Sequence, residues 1–145
     1  MHDVRHEVAA VASSSSKDRA AAFIKDLGVP STAKAYGTYQ ELVDDPDVDI
    51  VYVATPHSHH YQNAMLALVA GKNVLCEKAL TVTVSQAKKL VAMAKEKGVF
   101  FMEAVWTRYF PISIKIRELI KAGEIGTVHR VIGMSAPSPT LTSDH

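Results

Sequence analysis

The stretch Val48-Asp-Ile-Val-Tyr-Val-Ala54, which continues as Thr55-Pro-His-Ser-His-His60, decides the fold. Its first part is a run of β-branched and apolar residues, which gives the clearest strand pattern in the sequence. Beyond the polar turn, apolar side chains recur at helical spacing up to Gly71, at Tyr61, Ala64, Met65 and Leu68. A strand that leads into an amphipathic helix is the repeating unit of a parallel α/β sheet.

The same unit recurs on both sides of this stretch. Short apolar runs predict three more strands, at Glu7–Ala12, Asn73–Cys76 and Val99–Glu103. Helices are predicted from Asp18 to Gly28, from the capping box Thr38-Tyr-Gln-Glu41 to Asp45, from Thr83 to Gly98, and over Ile112–Ile120. Because parallel neighbours need a crossover connection, the alternation predicts an α/β fold with a doubly wound parallel sheet.

A different pattern begins after Gly126. Thr127-Val-His-Arg-Val-Ile-Gly-Met134 alternates apolar and polar residues, which predicts a strand with one solvated face. Pro137 and Pro139 then interrupt the pattern. We therefore expect residues 1–124 to form a dinucleotide-binding domain and residues 125–145 to begin a second domain of the α+β class.

The composition argues against several kinds of partner. Of the 145 residues, 48% are hydrophobic and 21% are charged, and the formal net charge is +1, so no basic excess attracts nucleic acid. The longest apolar stretch, Ala64–Ala70, is far shorter than the roughly 20 residues of a membrane span, and no signal-like segment follows Met1. The sequence predicts a cytoplasmic protein. Its single cysteine, Cys76, is predicted to be a buried strand thiol.

Polar residues concentrate directly after the predicted strands. In an open α/β sheet, ligands bind beyond the carboxyl ends of the strands, so these segments are predicted to converge on one site. They are Ser13–Ser16, Thr55–His60, Glu77–Leu80 and Glu103–Tyr109. The histidines at 57, 59 and 60 have no Cys, Asp or Glu partner at ligand spacing, and no metal site is predicted.

Three motifs carry a resemblance to a known family. Ala54-Thr-Pro-His-Ser-His-His60 and Ala70-Gly-Lys-Asn-Val-Leu-Cys-Glu-Lys78 resemble the Gfo/Idh/MocA oxidoreductases, and the likeness covers nearly the whole chain. Glu103-Ala-Val-Trp-Thr-Arg-Tyr-Phe-Pro111 is similar, more narrowly, to the branch of dimeric dihydrodiol dehydrogenase and NADP-dependent D-xylose dehydrogenase. The resemblance implies a Rossmann-like sheet and a nicotinamide cofactor.

The resemblance also implies roles for single residues. Lys78 would be the catalytic group that takes or relays the proton of the substrate hydroxyl, and Glu77 would lie by the nicotinamide ribose. Without the family context, Glu77 and Lys78 would be an ordinary charged turn. The family usually has proline after that lysine, whereas this chain has Ala79, which leaves the pose of Lys78 open.

The other implied cofactor contacts come from the turns after the strands. The first turn would contribute Thr55, Pro56, His57 and His60. Trp106 and Arg108 would face the nicotinamide and the substrate, the indole as a wall and the guanidinium as a donor. An aromatic core patch is the alternative for Trp106, and a simple end to the strand is the alternative for Thr55 and Pro56.

The segment after the first predicted strand favours NADP over NAD. An NAD enzyme places an acidic residue there on the adenosine ribose, and an acid would repel a 2′-phosphate. This chain has Ser13 and Ser14 instead, whose hydroxyls can donate to that phosphate, with Arg19 adding positive charge. NAD stays possible, because a serine run is as often a flexible loop.

One expected motif is absent from the sequence. No Gly-x-Gly-x-x-Gly occurs, although that turn brings the pyrophosphate onto a helix N-terminus. Because Glu7–Ala12 matches the family's second strand, we expect the first strand and its glycine turn upstream of Met1. Loss of that first strand would leave two unpaired edges in the sheet. The substrate domain, through which the parent enzyme would form a homodimer, is expected after His145.

Two functions from different classes are compatible with the sequence. The first is an NADP-dependent oxidoreductase that transfers a hydride between a nicotinamide and the hydroxyl carbon of a sugar or a trans-dihydrodiol, with this fragment inactive alone. The alternative is a truncated or non-catalytic relative that senses a nucleotide or supports an interaction. Both share the fold, so fold alone does not choose between them.

Overall fold

The computed structural model describes residues 6–30 and 32–133. Within them the strands are β1 (Ala10–Ala12), β2 (Lys34–Tyr36), β3 (Ile50–Val53), β4 (Asn73–Cys76) and β5 (Phe101–Glu103). The helices are α1 (Lys17–Asp26), α2 (Tyr39–Asp44), α3 (His60–Val69), α4 (Val84–Lys97) and α5 (Pro111–Lys121). Short 3₁₀ turns cover His57–His59 and Trp106–Tyr109. This alternation confirms the predicted α/β class.

The strands form two separate parallel sheets. β1 pairs with β2, and β3, β4 and β5 form a second sheet with β4 in the middle. The break falls between β1 and β3, where the sequence predicted two unpaired edges. A cleft of about 520 Å³ opens there, at the amino ends of the strands, between Ala9 on one side and Ile50 on the other.

The main core lies on one face of the three-stranded sheet. Side chains of α3 and α4 pack there against β3 and β4. The fully buried residues of this core include Leu68 and Leu90 on the helices and Val74 and Cys76 on β4. Cys76 is the buried strand thiol that the sequence predicted. Burial, with a smaller contribution from Glu103, raises the pKa of its thiol to about 11, so the thiol stays protonated at neutral pH.

Local sequence explains where the helices begin and end. Thr38 and Glu41 form the predicted capping box at the start of α2, in which the Thr38 hydroxyl accepts from the Glu41 N–H at 3.2 Å. The Thr83 hydroxyl caps α4 by accepting from the Gln86 N–H. Gly98 ends α4 with a φ of +66°, a left-handed conformation that glycine adopts without strain.

Two predictions about strands need correction. Strand β2 was not predicted, because Lys34-Ala-Tyr36 is neither a continuous apolar run nor long enough to show a period. The strand predicted from residue 127 is wrong for residues 127–133, which have no regular structure. No neighbouring strand pairs with them in the described part of the chain, and Val131 and Ile132 are more than 80% exposed. Met134 lies outside the described residues.

The chain divides into two compact units, one that extends to Val105 and one that begins at Trp106. The second unit contains α5, whose apolar stripe of Ile112, Ile116 and Ile120 is solvent-exposed. The domain boundary predicted after residue 124 stays a prediction. Among the described residues, none of the helices has the length and apolar character that crossing a bilayer requires.

A buried carboxylate ties β2 to the loop after α2. Asp45 accepts from Lys34 Nζ at 2.9 Å, from Tyr36 Oη at 3.0 Å and from the Asp47 N–H at 3.0 Å. These donors lower the pKa of Asp45, with the Lys34 bond as the largest cause. The carboxylates of Asp47 and Asp45 in turn raise the pKa of Lys34.

We expect Asp45→Asn to destabilise the fold at neutral pH and progressively less in acid. The stabilisation from a carboxylate with a lowered pKa is complete above its unfolded value of about 3.9 and is lost as the pH falls through the folded value. Urea unfolding of the wild type and of Asp45→Asn between pH 7 and pH 3 measures the difference in their free energies of unfolding. Asp44→Asn, which alters an exposed neighbour, is the matched control. A difference that does not change with pH would refute the ionic origin of the effect.

Candidate functional site

The turns that follow β3, β4 and β5 meet at the carboxyl edge of the three-stranded sheet. The Glu77 N–H donates to the Val53 carbonyl at 2.9 Å, and the Ala104 N–H donates to the Cys76 carbonyl at 2.8 Å. These bonds extend the parallel ladders past the strands and carry the chain directly into the polar turns. The predicted convergence of Thr55–His60 with Glu77–Leu80 is therefore present in the structure.

The turn after β3 is held from inside by His60. This side chain is completely buried at the start of α3. Its Nε2 lies 2.7 Å from the Thr55 carbonyl, and its Nδ1 lies 2.9 Å from the Ala79 carbonyl. Carbonyl oxygens only accept hydrogen bonds, so a ring nitrogen that carries a proton donates to the carbonyl that it faces. His60 thus links the turn after β3 to the turn after β4.

Neighbouring side chains strengthen the same connection. The His57 Nε2–H donates to the Lys78 carbonyl at 3.0 Å, and the rings of His57 and His60 stack edge to face with centroids 5.3 Å apart. Asn63 on α3 donates to the Thr55 hydroxyl at 3.0 Å. The main chain of both turns is therefore fixed by α3, while Pro56 and His57 stay exposed.

The turn after β4 presents Lys78 to solvent. Its side chain is exposed, and the Lys78–Ala79 peptide bond is cis. The Leu80 N–H at the end of the turn donates to the Glu103 carboxylate at 2.8 Å, which ties the turn to β5 as well. Lys78 thus projects from a segment whose main chain is held by α3 on one side and by β5 on the other.

Glu77 is held at both of its carboxylate oxygens. Tyr52 on β3 donates from Oη to Oε1 at 2.5 Å, and the Lys78 N–H donates to Oε2 at 3.0 Å. The Tyr52 hydrogen bond is the largest cause of a lowered Glu77 pKa, and the same bond raises the pKa of Tyr52. Glu77 is therefore an ionised acceptor at neutral pH, and the Tyr52 hydroxyl stays protonated.

The serine segment follows β1 and leads into α1. The hydroxyls of Ser13 and Ser15 lie 2.9 Å apart, and the Ser16 hydroxyl caps α1 by accepting from the Arg19 N–H at 3.2 Å. Ser14 and the Arg19 side chain are exposed. The segment is an ordered helix start that exposes Ser14, at the same end of its sheet as the other turns.

Trp106 and Arg108 belong to the second compact unit. Both lie in the 3₁₀ turn before α5. The Trp106 indole packs edge to face on Phe110, with ring centroids 4.9 Å apart, and the Ser113 hydroxyl donates to the Thr107 carbonyl at 2.8 Å. Their predicted contacts with a nicotinamide and a substrate stay predictions.

Two side chains that shape the site, Tyr52 and Asn63, were not predicted from the sequence, and Glu103 was predicted only as the first residue of a converging segment. Tyr52 resembled any other strand residue, and its bond to Glu77 depends on the pairing register of β3 and β4. Asn63 showed no signal, since a polar residue on a helix is ordinarily solvated. Glu103 ended a predicted strand, and a carboxylate at that place was a signal that it faces the neighbouring turn.

Comparisons with known proteins agree with this geometry. Residues 1–105 match the family model for the oxidoreductase family with an NAD-binding Rossmann fold, Gfo/Idh/MocA. The chain is 72% identical, over 130 residues, to a D-xylose 1-dehydrogenase (NADP(+)) of Hypocrea jecorina, covering 90% of this chain and 33% of that protein. It is 43% identical to a trans-1,2-dihydrobenzene-1,2-diol dehydrogenase of Bos taurus, covering 87% of this chain and 36% of that protein.

Solved structures give the same relationship. An NAD-binding oxidoreductase from Klebsiella pneumoniae superposes with a TM-score of 0.76 at 37% identity, over 83% of this chain and 31% of that one. A 3-ketoreductase from Actinomadura kijaniata, in complex with NADP, superposes with a TM-score of 0.71 at 35% identity, over 81% of this chain and 35% of that one. The chain spans about a third of the curated relatives that it matches. By fold and by sequence, it belongs to the Gfo/Idh/MocA family of oxidoreductases.

Proposed function

We propose that the protein is a cytoplasmic, NADP-dependent oxidoreductase that acts on the hydroxyl of a sugar or a trans-dihydrodiol. The observation that carries the proposal is the pair of fixed turns that present Lys78 beside an ionised Glu77. The names of the relatives, a D-xylose dehydrogenase and a trans-dihydrodiol dehydrogenase, supply the substrate classes. Substrate and cofactor are both small molecules in this proposal.

The described residues fit the nicotinamide half of the cofactor. Glu77 offers its remaining lone pairs to ribose hydroxyls, and Thr55, Pro56 and His57 line the adjacent turn, with His60 holding that turn from below. Ser13, Ser14 and Arg19 would receive the adenosine 2′-phosphate. The described residues include no Gly-x-Gly-x-x-Gly turn, so the pyrophosphate is not assigned to any of them.

In the reaction, NADP⁺ supplies the acceptor for the hydride that leaves the hydroxyl carbon. Lys78 takes the hydroxyl proton as the carbonyl group forms, and in the reverse direction it returns that proton. Glu77 would hold the ribose in place, whereas the contacts of Trp106 and Arg108 with nicotinamide and substrate rest on the family resemblance alone. Homodimerisation through a C-terminal sheet stays a prediction, since residues 134–145 lie outside the described part.

Turnover by the full product of the gene tests the proposal. We expect reduction of NADP⁺ with D-xylose or with a trans-dihydrodiol, and affinity for NADP exceeding that for NAD by roughly ten-fold or more, the worth of one charge-assisted hydrogen bond. Fluorescence titration gives both dissociation constants, and absorbance at the reduced nicotinamide band gives the rate. Tight NADP binding without turnover on either substrate would favour the alternative, a non-catalytic nucleotide sensor.

A further inference from the structure

The hydrogen bond between Tyr52 and Glu77 joins β3 to the turn that carries Lys78. Tyr52 pairs in register with Leu75, two residues before Glu77, so the side chains of Tyr52 and Glu77 emerge on the same face of the sheet. Val53, the neighbour of Tyr52, is buried on the opposite face against α3. Tyr52 therefore contributes little to the core, and its side chain is 56% exposed.

The geometry leaves half of the Glu77 carboxylate available. A carboxylate has about four lone-pair directions. Tyr52 occupies one on Oε1, and the Lys78 N–H occupies one on Oε2. One direction on each oxygen remains without a donor from the described residues, which matches the two neighbouring hydroxyls of a ribose. The Tyr52 bond also fixes the rotation of the carboxylate, which the Lys78 bond alone leaves free to turn about its own axis.

The charges around Glu77 come from three elements. Lys78 lies in the same turn, Tyr52 donates to the carboxylate from β3, and His60 contributes electrostatically from the start of α3. All three favour the ionised carboxylate, and the Tyr52 hydroxyl does so most strongly. Removal of that hydroxyl therefore changes both the direction of the carboxylate and its tendency to take up a proton.

We propose that Tyr52 is a positioning residue for the cofactor: its hydroxyl holds Glu77 in the rotation that accepts both hydroxyls of the nicotinamide ribose. The inference rests on the proposed function, because it requires a dinucleotide to bind. A merely structural role for Tyr52 makes a different prediction, since the lost hydrogen bond would then lower stability and leave the pH dependence of binding unchanged.

Tyr52→Phe in the full gene product tests the proposal. We expect the dissociation constant for NADP at neutral pH to rise roughly ten-fold, the range of one lost hydrogen bond to a charged group. As the pH is lowered, the variant should lose NADP binding at a higher pH than the wild type does, because its Glu77 lacks the donor that keeps the carboxylate ionised. The KM for NADP should rise with the dissociation constant, while kcat changes little. Titration calorimetry from pH 4 to pH 8 and steady-state kinetics measure these quantities.

Tyr36→Phe is the matched control. It deletes a tyrosine hydroxyl in the other sheet, which donates to the carboxylate of Asp45 in the loop after α2. It should leave NADP binding at its wild-type value at every pH. If Tyr52→Phe binds NADP with wild-type affinity and loses binding at the same acidic pH as the wild type, the inference is overturned and the proposed function stands. A wild-type protein that does not bind NADP would overturn both.

Discussion

Lys78→Ala is expected to lower kcat by roughly 10² to 10⁴-fold, the usual contribution of a general acid–base group. The side chain is exposed at the carboxyl edge of the sheet, where the proposed reaction requires a proton acceptor beside the hydroxyl carbon. The main-chain carbonyl of residue 78, which His57 holds, persists in the alanine variant. NADP binding should therefore be retained, and the loss should appear in kcat more than in the cofactor dissociation constant.

Lys97→Ala provides the control for this prediction, because it removes an exposed lysine from the last residue of α4, at the opposite end of that helix from the turn after β4. It should turn over at the wild-type rate. A Lys78→Ala enzyme with wild-type kcat would exclude Lys78 as the proton relay. Equal losses of NADP affinity and of turnover would instead assign Lys78 to cofactor binding.

Leu90→Ala should destabilise the fold by about 2–5 kcal/mol, as is usual for a fully buried leucine. Leu90 is 0% exposed, on the face of α4 that packs on the core beneath β3 and β4. The loss combines the transfer of the missing methyl groups with the cavity that remains. Urea unfolding should show a lower midpoint at an unchanged slope.

Leu27→Ala gives the comparison for the same chemical change at a surface position. Leu27 is 64% exposed at the end of α1, so its loss should change stability by about 0.5 kcal/mol or less. If both variants lost similar amounts of unfolding free energy, burial of Leu90 would not stabilise the fold as the structure indicates.

The sequence predicted best where local chemistry decides the structure. The capping box at Thr38, the left-handed glycine at Gly98 and the apolar run of β4 need only near neighbours along the chain. The strand predicted from residue 127 failed for the opposite reason. An alternating pattern forms a strand only beside a partner, and among the described residues no strand pairs with 127–133.

The convergence of the turns was predicted, but the contacts between them were not. The rule that ligands bind at the carboxyl ends of parallel strands was enough to group Thr55, Glu77 and Lys78 from the sequence alone. The resemblance suggested His60 as a cofactor-side residue, whereas its ring is buried and occupied by two carbonyls. The Tyr52–Glu77 bond joins residues 25 positions apart, and only the register of β3 and β4 places them together.

The two histidines that connect the turns have a consequence for how ligands bind. His57 and His60 hold carbonyls of residues 78 and 79, so the turn that carries Lys78 takes its shape when α3 packs on the sheet. The conformational entropy of that segment is then lost during folding rather than at ligand binding. Because a preorganised turn loses less entropy when a ligand binds, more of the contact energy appears as affinity and as correct orientation of the ligand. In the proposed function, helix α3 would thereby contribute to recognition without touching the substrate.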